Sequence, residues 1–196
     1  MAPVQALVRR IREFSGDPAV PYVDPDSGGI NSRVLFLLEA PASAAAHGST
    51  MLSPDNDDGT AANIFRLYQE SGLRRDHAIH WNAVPWYIGD GTKIRAAKRV
   101  DIAEGNRWLT ELIDLLPDLR LVVATGAVAR DAFAMWLLTE HSRLLHWLVV
   151  PHASQRVINV NPDAWPLLRS GFRIAASAAG DTALSDSTDV PFRIVT

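Results

Sequence analysis

The chain contains no cysteine. That excludes disulfides, thiolate zinc sites, a cysteine nucleophile and a cysteine-held iron–sulfur cluster. No apolar run approaches the roughly 20 residues that a helix needs to cross a bilayer, so no membrane partner is expected. Arg9, Arg10 and Arg12 interrupt the apolar residues near the N-terminus, so that segment does not read as a secretory signal. Positive charge is also scarce. Lys and Arg number 19 against 22 Asp and Glu, a formal net charge of −3, and no protein-wide field draws the chain to nucleic acid. Any such contact has to rest on a local patch. The redox compartment stays open, with a bacterial-type cytoplasm as the default expectation. What is present is ordinary for a globular protein, 47% hydrophobic and 21% charged residues in 196. That length suits one domain with one substantial core, spanning residues 1–196.

Hydrophobic spacing then gives the elements. Val4, Leu7, Val8 and Ile11 form an amphipathic helical stripe ended by Gly16-Asp17-Pro18. The continuous apolar run Val34–Leu38 reads as a strand buried on both faces. "SPDNDDGT" is turn chemistry, with Thr60 as a cap for a helix carrying Ile64, Leu67 and Tyr68 and stopping near Gly72. Ala78–Val84, Leu119–Gly126 and His146–Val150 read as three further strands. Between them lie two helical stripes, Ile102 to Leu116 and Ala129 to Leu137, and a last helix is expected from near Pro162 toward Leu168. A polar stretch from about Gly180 to Asp189 precedes a final short apolar segment, "FRIV". Strands alternating with helices predict an α/β fold, three layers α/β/α around a central, mainly parallel four-stranded sheet. No internal repeat interrupts the pattern.

Ligands of an open parallel sheet bind outside the carboxyl ends of its strands. Three of the four expected strands run into a functional side chain there: Glu39 in "LLEAPA", Asn82 in "HWNAVPW" and His152 in "VVPHAS". Singly, each of these is more often a turn or cap residue. On one rim they are complementary. A carboxylate orients water, an amide reads a polar edge, and an imidazole stabilises a developing anion.

The ordered set "LLEAPA", "SPDNDDGTAANIF", "WNAVPW" and "VVPHASQRVINVNP" resembles the uracil-DNA glycosylase superfamily, over about Arg33 to Pro162. The resemblance implies a DNA glycosylase that hydrolyses the N-glycosidic bond of uracil or a related damaged or modified pyrimidine. It implies Glu39 and His152 as catalytic residues and Asn82 as the reader of the uracil edge, with Ala40 and Pro41 completing the first motif. Leu38 and Ala42 stand where the family has glycines, and His152-Ala153-Ser154 where it has His-Pro-Ser. The branch with a Glu-Ala-Pro motif carries a cluster on four cysteines, so this chain resembles a cluster-free member with no cofactor. The family's base-stacking aromatic follows the first motif. Met51 and Leu52 occupy that neighbourhood here, which leaves Trp86 or Tyr87 as candidates. Ser154, Gln155 and Arg156 fall where the family inserts a loop into DNA. Lys93, Arg95, Lys98 and Arg99 make either a local basic patch or a solvated helix face. The expected partner is single- or double-stranded DNA, bound by a monomer.

Other readings of the same residues are weaker. "DNDDG" lacks the spacing of a calcium loop and reads as a cap. His47, His77, His80, His141 and His146 have no zinc spacing and read as surface or core. "TGAVAR" lacks the glycines of a dinucleotide fingerprint. Trp81, Trp108, Trp136 and Trp147 read as core. Two alternatives remain beside uracil excision: a glycosylase for a bulkier modified base, as in defence against modified phage DNA, and a non-catalytic binder of nucleic acid or nucleotides.

Overall fold

The computed structural model describes residues 1–16, 19–90, 94–139 and 143–181. Lys93, His141, most of the polar stretch after Gly180 and the "FRIV" segment lie outside the described residues. In chain order the elements are α1 (Ala2–Ser15), β1 (Tyr22–Val23), β2 (Val34–Leu38), β3 (Met51–Leu52), α2 (Gly59–Ser71), β4 (Ala78–Asn82), α3 (Arg99–Asp114), β5 (Leu121–Thr125), α4 (Ala127–Leu137), β6 (His146–Val150), α5 (Gln155–Val160) and α6 (Ala164–Ala179). The main sheet has four strands, all parallel, in the order β4-β2-β5-β6. A separate parallel pair, β1 with β3, was not legible in the sequence because each strand has only two residues.

Alternation along the strands divides the core into two layers, because successive side chains point to opposite faces. Leu35, Leu37, Ile79, Trp81, Val122 and Ala124 pack under the apolar stripes of α1, α3 and α4. Val34, Phe36, Leu38, Ala78, Leu121, Val123 and Val150 pack against α2 and α6. The result is the three-layer α/β/α arrangement that the alternating pattern predicts. Gly105 on α3 lets that helix lie against the end of β4, since a Cβ there would stand 1.8 Å from the Ala83 carbonyl oxygen.

Several boundaries differ from the sequence reading. Asp58, not Thr60, caps α2: its Oδ1 accepts from the Thr60 and Ala61 N–H groups, both at 2.9 Å. β4 ends at Asn82 rather than Val84. The next two N–H groups still reach across, Ala83 to the Leu38 carbonyl at 2.8 Å and Val84 to the Glu39 carbonyl at 2.9 Å. β6 is not a buried strand. It lies at the sheet edge, with Trp147 and Val149 exposed and only Val150 buried, so Trp147 is not a core residue. The last helix is far longer than the stretch from Pro162 to Leu168, because Phe172, Ala175, Ala176 and Ala179 continue its buried face. Arg33 and Arg120 donate to the carbonyls of Ala179 and Ala178 and so satisfy its last turn. The short helix α5 was expected as a loop. Ser154 starts it, its Oγ accepting from the Val157 N–H at 3.4 Å. Among the described residues no helix is long and apolar enough to cross a membrane.

Candidate active site

The carboxyl rim of the sheet opens into a pocket between β4, β2, α2 and the segment after β3. Asn82 and His152 both line it, together with Leu38, Ala40, Ala42, Ala45, Leu52, Ile64 and His80. The strand order makes this meeting possible. β2, the first main strand, sits in the middle, β4 takes one side, and β5 with β6 takes the other. Residues far apart in sequence therefore emerge along one edge.

His152 follows Pro151 at the end of β6, and three contacts hold it and the turn that carries it. The Ser154 backbone N–H donates to its Nδ1 at 3.0 Å. With Nδ1 accepting, the proton of the neutral ring sits on Nε2. Gly126, at φ +91°, lies beneath the imidazole, and a Cβ there would come within 3.4 Å of the His152 Cβ. Asn63 of α2 donates to the carbonyl of Ala153 at 2.9 Å, which ties the turn to the helix. Burial lowers the His152 pKa, and the Glu39 charge offsets part of that effect. The group is therefore a neutral Nε2–H donor at pH 7.

Asn82 is buried at the end of β4, on the same face as His80 two residues earlier. Glu39 follows β2 and stands beside the pocket, outside its wall. Its Oε1 accepts from the Ala97 N–H at 3.4 Å, and its charge reaches His152. Pro41 is buried next to Ala40.

The lip formed by residues 51–58 is braced by an ion pair on the buried Asp24. Burial pushes the Asp24 carboxyl up, but hydrogen bonds from Ser53, the Asp26 N–H and Arg75 outweigh it and hold the pKa below the usual range. Arg75 bridges Asp24 at 2.5 Å and Asp55 at 2.9 Å, while the Ser53 Oγ donates to Asp24 at 2.7 Å. Asn56 donates to the Met51 carbonyl at 2.8 Å. The acidic run is thus a brace and a helix cap. Among the described residues no group of three or more His, Cys, Asp or Glu side chains could hold a metal ion.

Most of the other predicted site residues fall elsewhere. Leu52 lines the pocket, but Met51, Trp86 and Tyr87 do not. Tyr87 is buried against His47, ring centroids 4.9 Å apart, and Trp86 packs on the α3 side of the core. Neither ring reaches the pocket as a stacking platform. Arg95 makes a bidentate pair with Asp101 at 2.6 and 2.8 Å. Hydrogen bonding from Arg95 lowers the Asp101 pKa, so most of the Arg95 charge is already matched. Lys98 starts α3, its N–H donating to Asp101 at 2.7 Å, and Arg99 begins the exposed first turn. Gln155 bonds to Asn159 at 2.8 Å, and Arg156 is exposed beside it on α5.

Sequence reasoning missed Asn63, Tyr68 and His80. For His80 a signal existed: it lies two residues before Asn82 on a strand, hence on the same face.

A three-layer α/β fold with an amide and an oriented imidazole meeting at the carboxyl rim of a four-stranded parallel sheet defines a small-ligand pocket on a doubly covered sheet. The chain belongs to the uracil DNA glycosylase superfamily, which it matches over residues 25–169. It is 28% identical over 140 residues to the type-5 uracil-DNA glycosylase of Thermus thermophilus, a match that covers 65% of this chain and 61% of that protein. The chain thus spans about three fifths of the relative's length.

Proposed function

We propose that this chain is a DNA glycosylase that hydrolyses the N-glycosidic bond of uracil, or of a related modified pyrimidine, and leaves an abasic site. The observation that carries this reading is the pairing of Asn82 with a tautomer-fixed His152 around one pocket at the sheet rim.

The chemistry lengthens the C1′–N1 bond until the sugar is cationic and the base departs with the bonding electron pair. Asn82 presents a carbonyl and an NH2 that pair with N3–H and O4 of uracil together. His152 donates its Nε2–H to O2, where the leaving anion concentrates charge. The Glu39 carboxylate stabilises the sugar cation and holds the water whose oxygen attacks C1′ and whose proton is released. A base in a duplex must first be flipped out, at a cost of about a few kcal/mol. Ser154, Gln155 and Arg156, directly after His152, supply the DNA contacts in this reading, and Arg99 extends them toward α3.

A second reading, excision of a bulkier modified pyrimidine, draws support from the walls of the pocket. Ala40, Ala42, Ala45 and Ala61 line it where a large ring would narrow it. A panel of oligonucleotides carrying uracil and modified pyrimidines, scored for alkali-labile sites, tests both. Cleavage at uracil supports the first reading, and cleavage confined to larger bases supports the second. Tight binding with no cleavage of any substrate would replace both with a non-catalytic DNA binder.

A further inference from the structure

Beneath Asn82 the pocket ends on a polar pair that the glycosylase mechanism above does not use. His80 of β4 and Tyr68 of α2 are both buried, and the Tyr68 hydroxyl lies 2.9 Å from the His80 Nε2. Phe36 on β2 fixes the imidazole plane from one side, with centroids 5.0 Å apart and planes 12° from parallel. His80 lines the pocket, and no hydrogen-bond partner satisfies its Nδ1 among the described residues.

The direction of the Tyr68–His80 hydrogen bond follows from satisfaction. Burial raises the Tyr68 pKa, so the phenol keeps its proton. Burial lowers the His80 pKa to about 4, so the ring is neutral at pH 7 and carries one N–H. If that N–H were on Nε2 and donated to Tyr68, the phenolic proton would be left buried with no acceptor, which is unfavourable. With Tyr68 donating to Nε2, the ring proton sits on Nδ1, the nitrogen left free to meet a ligand.

We infer that His80 is a second base-reading residue, whose Nδ1–H donates to the 4-oxo group of the flipped pyrimidine, with Tyr68 as the positioning residue that fixes its tautomer. The inference rests on the glycosylase reading of the pocket and narrows its substrate class to 4-oxo pyrimidines. The geometry follows from the base itself. N1 carries the sugar and stays at the mouth, so C4, opposite N1 across the ring, enters deepest. His80 stands two residues inward from Asn82, roughly 6.6 Å along the strand, and so faces that end. The 4-oxo oxygen has two lone pairs, one for Asn82 and one for His80. A 4-amino group, as in cytosine, would turn donor hydrogens toward both donors.

Single-turnover release from single-stranded oligonucleotides, one with uracil and one with 4-thiouracil (which keeps N3–H but presents a weakly accepting sulfur at C4), tests this. His80→Phe should slow uracil release about tenfold or more and slow 4-thiouracil release by clearly less. Tyr68→Phe, which removes only a hydroxyl and preserves the ring packing, should slow uracil release in the same selective way but by less. Nitrogen-15 chemical shifts of the wild-type protein at pH 7 should place the His80 proton on Nδ1, a readout independent of how His80→Phe folds. Equal slowing of the two substrates by His80→Phe, or a proton found on Nε2, overturns the inference and leaves the glycosylase reading intact. Release of neither base by the wild-type protein overturns the glycosylase reading and the inference with it.

Discussion

The backbone N–H of Ser154 donates to Nδ1 of His152 at 3.0 Å, and this bond decides which ring nitrogen can act on a substrate. It leaves the proton on Nε2, the nitrogen free to donate to a leaving base. The same turn also starts α5, with Ser154 as its cap. His152→Ala should therefore slow base release by about 10²-fold or more, the scale of losing one preorganised donor to a developing anion. Folding should be little affected, because His152 is only partly buried at the rim. Single-turnover excision on single-stranded substrate reads the chemical step with most of the flipping cost removed. An unchanged rate there would eliminate His152 as the donor.

Asn82 is buried at the pocket wall, away from any surface that phosphates could reach. Asn82→Ala should abolish excision while nonspecific DNA affinity, measured by fluorescence anisotropy at several salt concentrations, stays nearly constant, since phosphate contacts supply that term. Parallel loss of binding and excision would point to a structural role for the amide.

Asp58 accepts from two N–H groups at the start of α2, the helix that carries Asn63 and Tyr68. Asp58→Ala should lower unfolding free energy by about 0.5–2 kcal/mol, and Asp58→Asn should recover most of it. Urea denaturation of the three proteins checks the order. Equal destabilisation by both substitutions would mean that the charge rather than the cap carries the effect.

His80 gives the fold a pH dependence whose sign is fixed by its lowered pKa. An unfolded histidine takes up its proton near 6.5 and the folded one near about 4, so between those values the unfolded state binds more protons. The stabilisation from a neutral, buried His80 is complete above pH 6.5. It is lost as pH falls toward 4, by up to about 3 kcal/mol. The unfolding free energy of wild type minus that of His80→Phe should fall by that order between pH 7 and pH 4. Parallel stability curves across that range would show that His80 is not the group responsible.

The sequence by itself determined the layer architecture, because local physics reports it directly. The continuous apolar run Val34–Leu38 is buried along its whole length, as a strand covered on both faces, and stripes such as Ile102 to Ile113 bury one helical side. Glu39, Asn82 and His152 were readable as rim residues because each follows an apolar run. The partners that give them their chemistry were not. The tautomer of His152 depends on a backbone N–H, the turn around it on Asn63, 90 residues distant in sequence, and its seat on Gly126. None of these leaves a periodic signature. The aromatics went astray for a related reason. Trp86 and Tyr87 lie near Asn82 in sequence, but the chain turns away after β4 and buries them elsewhere, while His80 reaches the pocket from within the strand. The exposure of β6 was equally hidden, since an apolar run reads the same at an edge as in the middle. Only the strand order β4-β2-β5-β6 makes it an edge, and that order is set by which long-range contacts bury the most surface together.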